Sequence, residues 1–245
     1  MRYLLLADIH ANFDALEAVL AAAAGTYDRL LALGDLVGYG AEPNEVVDRL
    51  RRLDPAASVR GNHDKAACGL ADLTEFNPIA RESIEWTVER LTAENLDYLR
   101  GLPAGPLAVG ARAELCHGAP FDEDFYIFDG SDALRAIHAA RHPICFFGHT
   151  HVQVAFLYSA SAFEARLPAG ERVTLTDRDD QSLLVNPGSV GQPRDGDPRA
   201  AFAIYDDEAR TIVLQRVSYP IERAQRKILD AGLPRALAMR LALGR

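Results

Sequence analysis

Cysteine is scarce in this chain. Cys68, Cys116 and Cys145 lie far apart, are odd in number and form no CxxC pair. That spacing offers neither a zinc ribbon nor a disulfide framework, and it fits buried thiols in a reducing compartment. Long apolar runs are missing as well. The stretch Tyr3-Leu4-Leu5-Leu6-Ala7 meets Asp8 and His10 at once, too soon for the core of a signal peptide or for a membrane span. The expectation is a cytoplasmic protein with no membrane partner. Positive charge is in deficit: 26 Lys and Arg against 35 Asp and Glu leave a formal net charge of -9. This disfavours tight, non-specific nucleic-acid binding and suits a site in which divalent cations cancel carboxylates. No repeat, low-complexity tract or linker interrupts the 245 residues, so one domain, 1–245, is expected.

What the chain does have is a rhythm. Apolar runs at 3–7, 28–33 and 56–60 read as buried strands. Between them lie helical periodicities, one from the cap-like Asn12 through Leu16, Val19 and Leu20, the other at 42–53 with Val46, Val47 and Leu50 on its apolar side. That βαβαβ pattern predicts parallel strands joined by crossovers, with functional groups at the carboxyl edge of the sheet. Each strand leads into such groups. Asp8 and His10 follow the first, and strand alternation predicts that they point the same way. Asp35 follows the second, inside Gly34-Asp35-Leu36-Val37-Gly38, and the third delivers a loop, Gly61-Asn62-His63-Asp64.

Residues 65–102 read as a helical flank. Runs at 106–109 and 113–116 resemble a hairpin that ends in His117, and the run 144–147 is a strand that ends in Gly148-His149-Thr150-His151. The last third reads as β-rich, with strands expected at 152–158, 163–166, 171–175, 182–185, 200–205 and 211–217. Two short helices, broken by Gly232 and Pro234, close the chain.

Collected together, the residues at strand ends are Asp8, His10, Asp35, Asn62, His117, His149 and His151. Two carboxylates, an amide and four imidazoles suit manganese, iron or zinc better than calcium or magnesium, which prefer oxygen. Seven ligands are too many for one tetrahedral zinc and fit two metals that share a carboxylate. His63 is a proton donor in waiting beside them, with Asp64 next to it to hold its ring. His138 and His142 lie outside these loops and read as structural or surface residues.

The ordered series Asp8-x-His10, Gly34-Asp35-x-x-Gly38, Gly61-Asn62-His63-Asp64, His117 and Gly148-His149-x-His151 resembles the calcineurin-like metallophosphoesterase family. The stretches 35–40 and 186–194 resemble its bacterial, stand-alone, phosphodiesterase-like members. Ala7 departs from the small hydroxyl residue that many members carry before the first aspartate, at a position that supplies no ligand. The resemblance implies an α/β fold, a four-layer α/β/β/α sandwich of two mixed sheets flanked by helices. It implies two divalent transition-metal ions, manganese first, with iron or zinc as the other candidates. One would take Asp8, His10 and His151, the other Asn62, His117 and His149, with Asp35 bridging.

The activity implied is hydrolysis of phosphate mono- or diesters, of small molecules or nucleotides, by in-line attack of a metal-bound hydroxide. His63 would donate to the leaving-group oxygen with Asp64 supporting it, and Asn12 and Arg194 would reach the phosphate. A serine/threonine-type protein phosphatase and a noncatalytic protein-binding scaffold on the same fold are the competing readings. No ligand position of the motif set is missing, as it would be in a scaffold. An exposed β-edge or the C-terminal helices are the surfaces on which a homodimer would form.

Overall fold

The computed structural model describes residues 1–168, 170 and 172–245. The chain opens with β1 (Arg2–Leu6), α1 (Phe13–Ala22), β2 (Arg29–Ala32), α2 (Pro43–Leu53) and β3 (Ala57–Ser58). It continues through α3 (Asn62–Ala67), a 3-10 turn at Leu73–Glu75, α4 (Pro78–Val88), α5 (Ala93–Arg100), β4 (Leu107–Val109), β5 (Ala113–Leu115), α6 (Gly130–Ala139) and β6 (Ile144–Phe146). The remainder is β7 (Val154–Ser159), β8 (Phe163–Arg166), β9 (Arg172–Thr176), β10 (Gln181–Asn186), β11 (Ala200–Asp206), β12 (Thr211–Val217), α7 (Ile221–Asp230) and α8 (Arg235–Leu241).

These strands build two six-stranded mixed sheets, ordered β3-β2-β1-β11-β12-β9 and β4-β5-β6-β10-β7-β8. β1, β2 and β3 run parallel, and β11 joins β1 antiparallel with Leu4 opposite Ile204. Alternation along β1 explains the layering. Leu4 and Leu6 pack into a core that includes Leu16 and Val19 of α1, Val46 and Leu50 of α2 and Ile228 of α7. Tyr3 and Leu5 pack the other way, among Leu115, Phe146, Val185 and Leu214 between the sheets. On the far face of the second sheet, Ala133, Ala136 and Ile137 of α6 cover Cys145, Phe147 and Leu184. A strand with two buried faces needs apolar residues throughout, and β1 supplies them. The result is the expected helix–sheet–sheet–helix stack.

Three expectations need correction. The segment Asn62-His63-Asp64 is not a loop but the first turn of α3, with Gly61 as its N-cap in extended backbone. Asp64 stands at the third helical position, and its side chain turns back to accept from the Gly61 N–H at 3.0 Å, which starts the helix. The flank 65–102 is not helical throughout: exposed residues around Gly69 and Leu73 break it before Asn77 caps α4. β1 ends at Leu6, so strand alternation is not what aims Asp8 and His10. Elsewhere the bounds shift by a few residues. The strand expected at 171–175 is β9, Arg172–Thr176, and Glu171 lies outside the described residues.

Candidate metal centre

Asp8, His10, Asp35, His149 and His151 all adopt positive φ, between 49° and 67°. Left-handed backbone is uncommon for residues with a side chain and costs energy unless the surroundings hold it. Here main-chain hydrogen bonds hold it: Asp8 N donates to Gly34 O at 3.1 Å, His10 N to Asp35 O at 2.9 Å and Gly191 N to Asp8 O at 3.0 Å. The strained turns fold the strand ends back on themselves. Their carboxylates and imidazoles thereby converge on one point at the edge of the two sheets, where all five side chains are buried.

Two groups result. Ligand atoms of Asp8, His10, Asp35 and His151 lie within 4.8 Å of one another, as do those of Asp35, His117 and His149. Asp35 belongs to both. Its Oδ2 is 3.4 Å from His10 Nε2 and 3.5 Å from His117 Nε2, and its Oδ1 accepts from the His63 N–H at 2.9 Å. Asn62 Oδ1 lies 3.4 Å from His117 Nε2, so the amide joins the second group.

The hydrogen bonds around the imidazoles decide which nitrogens are bare. His10 Nδ1 donates to Val37 O at 3.0 Å, His151 Nδ1 to Gln192 O at 2.6 Å, His117 Nδ1 to Leu33 O at 2.8 Å and His149 Nε2 to Asp124 O at 3.1 Å. A carbonyl oxygen only accepts, so each of these nitrogens carries the proton in the neutral ring and the other presents a lone pair. Such outer-nitrogen hydrogen bonds are what orient histidine ligands of metals. The bare nitrogens then meet: His10 Nε2 and His151 Nε2 at 3.0 Å, and His149 Nδ1 and His117 Nε2 at 3.0 Å. Asp8 Oδ2, buried, has no hydrogen-bond partner among the described residues. Lone pairs that face each other beside an unsatisfied carboxylate oxygen call for a cation. The donor set fits a divalent transition metal in each group.

Burial and charge set the protonation of the cluster. Burial raises Asp8 to about 7, against the pull of His117, and pushes His10 and His151 well below their ordinary value. Burial also opposes charge on Asp35 and His117, but their mutual attraction prevails. Asp35 is held well below the carboxylate range, with His117, His63 and His10 around it, and His117 is raised to about 10 chiefly by Asp35. Without a cation Asp35 therefore holds a proton on His117 Nε2, the proton that a cation in the second group would displace. Burial, with His117 nearby, lowers His149 to about 3.

His63 stands beside this cluster. Its ring lies edge-on to His10 with centroids 4.9 Å apart and tilted against Tyr39 at 4.4 Å. Its Nδ1 is buried with no partner among the described residues, and the residue lines a cavity beside the centre. Gly38, at φ +88°, lies against this side chain, and a Cβ there would overlap it. Burial lowers His63 to about 4.

Two expected side chains do other work. Asp64 does not touch the His63 ring: Oδ1 accepts from the Leu36 and Val37 N–H groups at 2.9 and 3.1 Å, and Oδ2 from Gly61. The reason is its place at the third position of α3, where a carboxylate reaches back to the helix start, and it ties the Asp35 loop to α3. Asn12 caps α1, accepting from Ala15 N at 3.1 Å while its Nδ2 donates to Gly191 O at 2.9 Å, so its amide is engaged on both sides. Arg194 lies closer to the expectation. It donates to Gln192 Oε1 at 2.9 Å, its buried Nε has no partner among the described residues, and its guanidinium sits 5.6 Å from the Tyr39 ring centroid. His142 pairs with Glu114 at 3.1 Å and His138 packs on Tyr158, both away from the centre.

Residue-pattern reasoning passed over Tyr39, Phe76 and Tyr126, which wall the site. It also gave no role to Glu123, which accepts from Arg60 at 2.8 and 3.0 Å and from Lys65 at 3.2 Å. With the Lys65–Asp124 pair, Glu123 fixes the segment whose Asp124 carbonyl orients His149. Tyr126 and Asp124 sit in the stretch 121–129 between β5 and α6, rich in aspartate and aromatic residues, and that composition was the available signal.

Residues 1–210 match the family model for the calcineurin-like phosphoesterase superfamily domain. The chain belongs to that superfamily. An uncharacterized protein of Methanocaldococcus jannaschii is 36% identical over 243 residues, covering 98% of this chain and 97% of the relative. A metallophosphoesterase from Sphaerobacter thermophilus superposes with a TM-score of 0.88 at 41% identity, covering 100% of this chain and 99% of that one. A hypothetical protein from Pyrococcus horikoshii OT3 shares the fold, with a TM-score of 0.79 at 20% identity over 100% and 98% of the two chains. The superfamily's metal dependence and the buried Asp/His groups agree. No helix among the described residues is long and apolar enough to cross a membrane.

Proposed function

We propose that this calcineurin-like phosphoesterase is a dinuclear metal-dependent hydrolase of phosphate mono- or diesters of small molecules or nucleotides. The observation that carries the reading is the position of Asp35 Oδ2, 3.4 Å from the imidazole of one group and 3.5 Å from that of the other. A single carboxylate oxygen placed between two sets of bare nitrogens suits a bridging ligand. In the reading, Asp8, His10, His151 and Asp35 hold one cation, and Asp35, Asn62, His117 and His149 hold the other, with manganese the leading candidate. A cation pair of this kind supplies Lewis acidity toward phosphoryl oxygens and lowers the pKa of water.

The chain's own residues do the rest. His63 offers Nε2 to the leaving-group oxygen; it takes up a proton once a bound phosphoester adds negative charge beside it, and general acid assistance is worth about 10²–10⁴-fold. Asp64 fixes the α3 start so that Asn62 and His63 stay aimed, and Arg194 meets an anionic oxygen with its free N–H. The free, buried thiols Cys68, Cys116 and Cys145 support the further reading that the chain works in a reducing cytoplasm.

The test is turnover of bis-p-nitrophenyl phosphate and p-nitrophenyl phosphate by manganese-loaded protein, with chelated protein as control. Metal-dependent cleavage of the diester alone makes the protein a phosphodiesterase, and cleavage of the monoester alone makes it a phosphatase. Silence on both with two metals bound would overturn the reading in favour of a scaffold.

A further inference from the structure

β8 is the last strand of the second sheet and, among the described residues, pairs with β7 alone. All four of its residues are exposed, and Leu167 after them is 70% exposed. The phase of the β7–β8 ladder tells which main-chain groups stay open. Ser159 and Ala162 exchange both hydrogen bonds, at 2.9 and 3.4 Å. Such pairs alternate along an antiparallel ladder. With Leu157 opposite Glu164 and Ala155 opposite Arg166, Glu164 and Arg166 are the residues of β8 that bond to β7. Phe163 and Ala165 therefore turn their N–H and C=O groups to the open edge, and the alternation carries on to Leu167.

An open edge invites another strand, and charged side chains blunt it where they meet their like. β3, β4 and β9, the other edge strands, carry a single charge between them, on Arg172. β8 is different because Phe163-Glu164-Ala165-Arg166-Leu167 is symmetric in character about Ala165, with an acid on one side, a base on the other and an apolar residue beyond each. Glu164 already holds Arg166 of its own chain at 2.8 and 3.0 Å, so both charges lie on one face. An antiparallel second copy centred on Ala165 sets each Glu164 opposite an Arg166 and each Phe163 opposite a Leu167. The two Ala165 residues then bond across the axis through the groups that β7 leaves free. Moving the centre to Glu164 or Arg166 keeps this phase but sets like charges face to face, which is destabilising. A register one residue off loses the phase.

We propose that β8 is the contact edge of a homodimer, in which two copies pair antiparallel about Ala165 and join their second sheets into one. A self-complementary patch of this kind is what a two-fold interface requires. The proposal is independent of the phosphoesterase reading and stands or falls without it.

The experiment is sedimentation equilibrium of the intact protein over a dilution series, with circular dichroism melts to show that each variant is folded. Wild type is expected to show a reversible monomer–dimer equilibrium. Glu164→Arg and Arg166→Glu, each alone, are expected to weaken self-association by about tenfold, because the axis counts every cross-strand pair twice. Mixing these two variants, or combining both changes in one chain, is expected to restore dimers. Ala165→Pro removes an N–H that no bond to β7 uses, a site where an edge strand tolerates proline, and is expected to leave folded monomers. Should the proline unfold the hairpin, the charge-reversed variants decide alone. Wild type that stays monomeric at every concentration overturns the proposal. So does a dimer that both single reversals leave intact, or a mixture of the two folded variants that fails to associate.

Discussion

His10 and His151 face each other Nε2 to Nε2 at 3.0 Å, while each donates its Nδ1 hydrogen to a main-chain carbonyl. Two lone pairs at that distance repel, and burial keeps both rings from protonating. A divalent cation between them turns the repulsion into two ligand bonds. Metal loading is therefore expected to stabilise the fold: at a hundredfold excess over Kd the linkage is about 2.7 kcal/mol per site, a rise in Tm of roughly 5–10 °C for a chain of this length. Differential scanning fluorimetry of chelated protein with added Mn²⁺ or Ca²⁺ checks this. Mn²⁺ should act well below the Ca²⁺ concentration, since imidazoles suit it better, and an equal response to both ions would contradict the ligand assignment.

Asp35 touches both groups through one oxygen, so Asp35→Asn is expected to act on both at once. The amide nitrogen cannot serve as a bridging donor. Metal analysis after gel filtration should show loss of bound metal, and ester turnover should fall with it. Full metal loading in this variant would exclude the bridging role.

Most of the centre was legible in the sequence because its chemistry is carried by rare residue types at strand ends. Asp8, His10, Asp35, Asn62, His117, His149 and His151 do converge. Less legible was how they converge. Periodicity placed Asp8 and His10 on a strand, yet left-handed backbone after Leu6 aims them, and no local pattern announces a φ that only tertiary hydrogen bonds can hold. Asp64 was misread for a related reason. Adjacency to His63 suggested a partner for its ring, but helix geometry turns a residue at the third position toward the helix start. Tyr126 and Phe76 passed unnoticed because an aromatic residue in a loop is ambiguous until the fold brings it against His149 or His63.

Gly38 tests whether the position of His63 matters. Alanine there is strained by the φ of +88° and its Cβ would overlap the His63 ring, which must then swing away from the centre. Gly38→Ala is expected to retain metal, since the nearest atoms an added Cβ would meet all belong to His63 and none to a ligand. Turnover should fall by about 10²–10⁴-fold toward poor leaving groups and much less toward good ones, because an acid helps only where the leaving group needs a proton. His63→Ala should give the same pattern. A uniform loss across leaving groups in both variants would count against the acid role.

At the end of the sandwich away from the metal centre, Asp177 clips the two sheets together. Arg112, in the turn between β4 and β5, donates to its two oxygens at 2.7 and 2.8 Å, and Arg210, in the turn between β11 and β12, donates at 3.2 Å. Burial works to raise the Asp177 carboxyl, but these hydrogen bonds hold it below the usual range. A depressed folded value means stability that is present above the unfolded value of about 3.9 and lost as pH falls through the folded one. The arginines are 30% and 33% exposed, so solvent screens the pair and the cost of Asp177→Asn at pH 7 is set at about 3 kcal/mol, the low end for breaking a buried pair. Urea melts of wild type and variant should differ by about that much at neutral pH, and the gap should narrow as the pH is taken below about 4. Metal content and turnover should be unchanged in the variant at pH 7. A gap that stayed constant into acid would mean that Asp177 contributes by packing, not by its charge.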